Sequence, residues 1–254
     1  MLIYDELKNI AEFKRLTLQN AEKDYLQNIL LLSIYSTAGK ELVFKGGTCL
    51  YKIYKLDRFS EDLDFTLTSK LNTEKLSNKI LADLKLVNIK GRLKEIKEYK
   101  NEINIKFLLN GPLYKGGNET QCFIPLNISM RERICIEPAR KMIFSMYKDI
   151  PNFEVFVMDE KEILAEKVRA ILTRMKPRDI YDLWFLLEKN VDFDIQLVNK
   201  KLELYNLKFS LRDFENRIEK MKGLWQIDLK NLIAREIDFN LIKKEIIRNA
   251  KKTS

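Results

Sequence analysis

KGGTCLYKIYKLDRFSEDLDF, residues 45–65, decides how this chain is read. With the apolar residues just upstream, ELVFKGGT (41–48) reads as a short strand, a Gly-Gly turn and the start of a helix reaching about Tyr54. Gly46 and Gly47 let backbone N–H groups approach a phosphate closely. The helix start adds partial positive charge, and Thr48 adds a hydroxyl. RFSEDLDFTL (58–67) reads as a strand. Residues i and i+2 of a strand share a face, so Asp62 and Asp64 project together, roughly 6.6 Å apart, with Leu63 and Phe65 on the buried side. Two neighbouring carboxylates repel unless a cation lies between them. Mg²⁺ suits the pair, because it takes oxygen ligands, often one or two carboxylates plus substrate phosphates. Taken singly, each half has a plain alternative: the glycines a mere turn, the acids an exposed edge strand. Side by side they place phosphate and metal in one site.

The remainder of the composition narrows the chemistry. The 254 residues carry 46 Lys and Arg against 37 Asp and Glu, a net +9, which favours a polyanionic partner such as nucleic acid or nucleotide. There is no histidine. That removes Ser-His-Asp and Cys-His triads, His-ligated zinc and imidazole acid–base catalysis. Cys49, Cys122 and Cys135 form no CxxC pair, and their odd number points to a reducing compartment. The first residues, MLIYDELKNIAEFKR, lack the apolar core of a signal peptide. No apolar run approaches the roughly 20 residues of a membrane span. A cytoplasmic protein with no membrane partner is expected.

Apolar spacing predicts one or two helices over 5–37 and an amphipathic helix over 73–86 capped by Thr73. Period-two alternation predicts strands at 103–109, 123–130 and 154–158. From Asp159 the pattern is helical almost to the end. The expected fold class is α+β (α/β): a mixed β-sheet core with flanking helices over 1–157, then a helical C-terminal part over 158–254. The Lys-rich stretch 70–106 reads more simply as a solvated face than as a binding patch.

KGGTCLYKIYKLDRFSEDLDF resembles the first motif of the nucleotidyltransferase-like AbiEii/AbiGii toxin family, within the DNA polymerase β-type superfamily. That motif has a Gly pair opening a helix, then a Leu (Leu50), an Arg (Arg58) and Asp-x-Asp. EILAEKVRAILTRMKPRDIYDLWFLL (162–187) resembles a second block of the family, with a Lys on a helix and an Arg-Asp-x-x-Asp-Leu segment. The resemblance implies a nucleotidyltransferase-like fold and transfer of NMP from an NTP to an acceptor hydroxyl, with RNA or the 3′ end of tRNA as a fitting acceptor. It implies Mg²⁺, with Mn²⁺ as the alternative ion, held by Asp62 and Asp64. Lys167 would be catalytic with them, and Gly46, Gly47, Thr48, Arg58, Ser60 and Arg174 would contact nucleotide. An antitoxin protein is the implied partner. Oligomeric state stays open.

The second block also has a reading without the family. Helical angles set Lys167 and Arg174 beside the apolar stripe formed by Ile163, Leu164, Val168 and Ile171, with Glu162, Glu166, Arg169 and Thr173 on the opposite, polar side. Inward cations are costly unless they meet anions. Snorkelling is one explanation; a nucleotide triphosphate is the better one. Arg178, Asp179 and Asp182 begin an almost wholly apolar helix, where they either cap it or hold Lys167 and Arg174 in place. One departure from the family matters. A third carboxylate is expected at the second position of LNISMRE (126–132), where this chain has Asn127. Glu132 or Glu137 would have to substitute, or transfer is weakened. The alternative function is therefore a catalytically weakened nucleotide- or RNA-binding module of the same fold.

Overall fold

Strand β1 (Leu42–Lys45), apolar except for Lys45, is buried at every position, as a central strand covered on both faces should be. In this computed structural model, residues 1–233 and 237–252 are described. They form two compact units: residues 1–53, 59–133 and 138–157, and residues 54–58, 134–137 and 158–254. The short segments 54–58 and 134–137 group with the second unit, which a single linear boundary at 157 does not anticipate.

In the first unit, α1 (Tyr4–Lys14) and α2 (Leu18–Tyr35) precede β1. Then come α3 (Gly46–Lys52), β2 (Leu63–Leu67), α4 (Thr73–Leu86), β3 (Lys90–Tyr99), β4 (Glu102–Asn110), β5 (Cys122–Ser129), β6 (Ala139–Ile143) and β7 (Phe153–Val157). The strands form one mixed seven-stranded sheet, ordered β3-β4-β5-β2-β1-β7-β6. β2 runs parallel to β5 and β1 parallel to β7, while the other neighbours are antiparallel. Alternation along β4 buries Ile103, Ile105, Phe107 and Leu109. The helices α2 and α4 cover that face: Gly91 of β3 lies against Leu81 and Leu84 of α4, and Phe65 of β2 stacks near Tyr35 of α2. The other face carries Asp64, Asn127, Asn104 and Lys97 in one row across β2, β5, β4 and β3.

The second unit is helical: α5 (Glu160–Thr173), α6 (Pro177–Glu188), α7 (Ile195–Leu202), α8 (Leu211–Lys220), α9 (Trp225–Leu229) and α10 (Phe239–Lys252). Asp159 caps α5 by accepting from Lys161 N, and Pro177 opens α6, where its missing N–H costs nothing. The expectation of helix beyond Asp159 also covers 234–236 and 253–254, which lie outside the described residues. No helix among the described residues is long and apolar enough to cross a membrane.

Four local expectations change. β2 begins at Leu63, so Asp62 lies just before the strand and Arg58 meets Ile233 in an isolated bridge. Asn72, rather than Thr73, caps α4; the Thr73 hydroxyl donates instead to Glu98. Arg174 follows the last residue of α5 in extended backbone. β3 and β6 were not anticipated. Both are edge strands whose sequences, KGRLKEIKEY and ARKMI, carry charge where buried strands carry apolar residues.

Candidate active site

Within the first unit the site is built around Gly46. Its φ of +72° lies in the left-handed region, and a Cβ there would stand 2.6 Å from Asp64 Oδ2. Only glycine permits both the turn into α3 and this close approach. Asp64 is held from its other side by Asn127, which sits opposite it in the parallel β2–β5 register and donates from Nδ2 to Oδ1 at 3.0 Å. Asn127 thus occupies the place where a third carboxylate was expected, facing Asp64, as an amide donor. Glu132 does not substitute for it. It is buried against Lys45 Nζ at 2.9 Å. Glu137 is exposed. Among the described residues, no group of three or more Cys, Asp or Glu side chains is placed to share a metal ion. Ions such as Mg²⁺ or Mn²⁺ are often held by one or two protein carboxylates and completed by substrate phosphates and water.

The segment before β2 is fastened from two sides. Thr48 is fully buried; its hydroxyl donates to the Asp62 carbonyl and shares a hydrogen bond with Ser60 Oγ at 2.9 Å. Gln27 of α2, also fully buried, donates from Nε2 to the carbonyls of Ser60 and Glu61 at 3.0 and 2.9 Å. Thr48 therefore spends its hydroxyl on the backbone carbonyl of Asp62, and Ser60 bonds its hydroxyl to that of Thr48. Gly47 is buried within α3.

In the second unit the cations of the Lys/Arg-Asp block form one buried cluster. Arg58 is 1% exposed and grips Asp182 at two points, Nε to Oδ1 at 2.6 Å and Nη2 to Oδ2 at 2.7 Å. Lys167 Nζ lies 2.6 Å from Asp182 Oδ2 and 2.8 Å from Asp179 Oδ1. Arg174 closes on Asp179 with bonds of 2.7 and 2.9 Å, while its side chain stays half exposed. Burial alone would raise the two carboxyls, but the charges of Lys167 and Arg174 on Asp179, and of Arg58 and Lys167 on Asp182, outweigh it and hold both below their ordinary range. The anions that an inward-facing Lys167 demands are thus present in the protein itself. Arg178 pairs with Asp228, at 2.8 Å from Nη2 to Oδ1. The supposedly polar side of α5 is no solvent face. Glu162 is fully buried, accepting from Lys201 Nζ and from the backbone N–H of Cys135 and Ile136, and Glu166 lies 3.5 Å from the same lysine.

Residues 29–245 match the family described as "Nucleotidyl transferase AbiEii toxin, Type IV TA system". The chain belongs to this family. It is a nucleotidyltransferase of the toxin type. Solved structures agree on the fold. JHP933 from Helicobacter pylori is 22% identical with a TM-score of 0.62, over 94% of this chain and 93% of that one. MenT4, a nucleotidyltransferase toxin from Mycobacterium tuberculosis, is 16% identical with a TM-score of 0.67, over 91% and 82%. No curated protein sequence matches.

Gln27 is a residue beside the candidate site that sequence reading overlooked. The signal was there: in YLQNILLL (25–32) two adjacent amides, Gln27 and Asn28, interrupt an otherwise apolar run, and both are buried. A buried amide needs partners, and here the donor end of Gln27 finds the Ser60 and Glu61 carbonyls.

Proposed function

We propose that this AbiEii-family chain transfers NMP from an NTP to a hydroxyl of RNA, the 3′ end of tRNA being the fitting acceptor. The acceptor oxygen bonds to the α-phosphorus, the bond to pyrophosphate breaks, and the hydroxyl proton passes to a carboxylate of the site. Asp62 and Asp64 would hold Mg²⁺, or Mn²⁺ in its place, and the bound ion would neutralise triphosphate charge. Gly46 and Gly47 give the phosphates close access to backbone. Thr48, Ser60 and Arg58 are assigned positioning roles, since their polar atoms bond to protein and Thr48 and Arg58 are shut off from solvent. Lys167 and Arg174 would offset charge on the departing pyrophosphate. With Arg58 they set three cations against Asp179 and Asp182, a surplus of one positive charge. Catalysis by positioning and electrostatics needs no histidine.

The single observation that carries this reading is the close fit of Asp64 between Gly46 and Asn127. It gives a physical reason for a strand, a positive-φ glycine and Asp-x-Asp standing together in this chain. We further infer a cytoplasmic toxin whose effect is countered by an antitoxin. Asn127 favours one rival, a binding module with weakened transfer, because an amide adds no charge to the metal site. Incubation of the protein with each labelled NTP, Mg²⁺ and total RNA separates the two. Label appearing in RNA supports transfer. Retention of Mg·NTP without labelled RNA supports the rival.

A further inference from the structure

The face of the sheet that bears Asp64 continues, uncovered by α2 and α4, across β5 and β4 to the edge strand β3. Asp64 lies opposite Asn127, Asn127 opposite Asn104, and Asn104 opposite Lys97. At an ordinary inter-strand spacing this row spans roughly 14 Å. Asn104 Oδ1 has no hydrogen-bond partner in it. Toward the edge the face becomes cationic. β3 sets Lys90, Arg92, Lys94 and Lys97 on it, all exposed, against Glu95. Glu95 is already taken by Lys97 at 2.6 Å and Lys106 at 2.7 Å, whose hydrogen bonds, Lys106 first, pull its carboxyl down to about 2. Arg92 and Lys94 have no carboxylate partner among the described residues. The bulge between Leu93 and Glu95 turns Lys94 over the exposed ring of Phe123, 5.4 Å from its centroid. Cations without counter-charges beside an exposed aromatic ring are what a single-stranded nucleic acid requires: phosphates pair with the cations and a base stacks on the ring.

We propose that the outer face of β3–β4–β5 is the track on which a single-stranded RNA acceptor lies, with Arg92 and Lys94 on its phosphates and Phe123 under a base, leading its 3′ end to Asp64. This rests on the acceptor reading above and names the surface it uses. Exposed charge on an edge strand also guards against aggregation, but that function needs neither a shared face with Asp64 nor an aromatic ring.

The test titrates a fluorescent single-stranded RNA ending in CCA against the full chain. The variants are Arg92→Glu/Lys94→Glu, Phe123→Ala, and Lys75→Glu/Lys85→Glu, which makes the same charge change on exposed positions of α4 over the opposite face. The first should weaken RNA binding at least tenfold and flatten its salt dependence by about 0.7 in log–log slope per lost phosphate contact. Phe123→Ala should weaken binding roughly fivefold or more, and the α4 variant less than twofold. Mg·NTP binding should stay at the parent value in all three. RNA binding unchanged in Arg92→Glu/Lys94→Glu, as for a face that docks an acidic protein instead, overturns the proposal. So does an equal loss in the α4 variant, which would mean diffuse attraction. The titration involves no NTP, so failure of nucleotidyl transfer appears separately, as absent labelling of RNA by the parent chain.

Discussion

Gly46 combines a φ of +72° with an Asp64 carboxylate that a Cβ would meet at 2.6 Å, so Gly46→Ala carries two penalties. The strained backbone costs on the order of 1–3 kcal/mol, and the new methyl must displace the Asp64 carboxylate. Transfer should fall at least a hundredfold while thermal unfolding shows only a modest loss. Activity near the parent value would show that Asp64 tolerates displacement. Asn127 permits the reverse experiment. Asn127→Asp removes a donor from Asp64 and sets a second carboxylate across from it. The metal-free variant should melt below the parent, recover on adding Mg²⁺, and transfer as well as the parent or better. A melting temperature that ignores Mg²⁺ would remove Asn127 from the metal's surroundings. These two residues also mark how far the sequence could be read. The Gly pair and Asp-x-Asp were legible as a helix-opening turn and a neighbouring strand. The contact that makes Gly46 indispensable was not, because it joins residues eighteen positions apart through a backbone angle that spacing does not reveal.

At the level of elements, α5 and α6 are joined by charge as well as by apolar packing. Asp182 is fully buried between Arg58 and Lys167, and removing one partner from a buried pair leaves the others uncompensated. Asp182→Asn should cost about 3–5 kcal/mol, lowering the melting temperature by on the order of 10 °C. Adding Lys167→Ala to it should cost much less than the sum of the two single changes, because the pair shares one interaction. Additive losses would contradict the shared cluster. The same cluster sets a pH dependence. Asp179 and Asp182 are held below their ordinary range, so the unfolded chain binds more protons in the interval between the folded values and about 3.9. Their contribution is complete above about pH 4 and lost as pH falls below it, and the parent should lose more stability than Asp182→Asn over that interval in acid unfolding. Helical periodicity correctly set Lys167 inward, and its anion was sought in a nucleotide because a period cannot show that Asp179 and Asp182 of the next helix turn back onto it. The polar side of α5 misled for a related reason: Glu162 and Glu166 look solvated until Lys201, thirty-five residues or more away, is brought against them. Edge strands β3 and β6 escaped detection because a strand paired on one side only need not alternate apolar residues.

For the whole molecule, the mixed sheet with flanking helices and the helical C-terminal stretch were legible from periodicity, and the family from two motif blocks in order. Strand order was not. It brings β5, some sixty residues downstream, beside β2, and only that pairing gives Asp64 its Asn127. With a net charge of +9, general attraction to RNA is expected of the intact chain and fades with salt, so RNA binding alone says little about catalysis. The decisive claim is that two carboxylates at the entrance to β2 hold a divalent ion for nucleotidyl transfer. It is tested most directly by measuring label transferred from NTP to RNA, with and without Mg²⁺, for the parent and for Asp64→Asn. The expected result is transfer by the parent that requires Mg²⁺, a loss of at least a thousandfold in Asp64→Asn, and RNA binding retained by a variant that still unfolds cooperatively. Transfer by Asp64→Asn at the parent rate, or by the parent in the presence of a chelator, would contradict it.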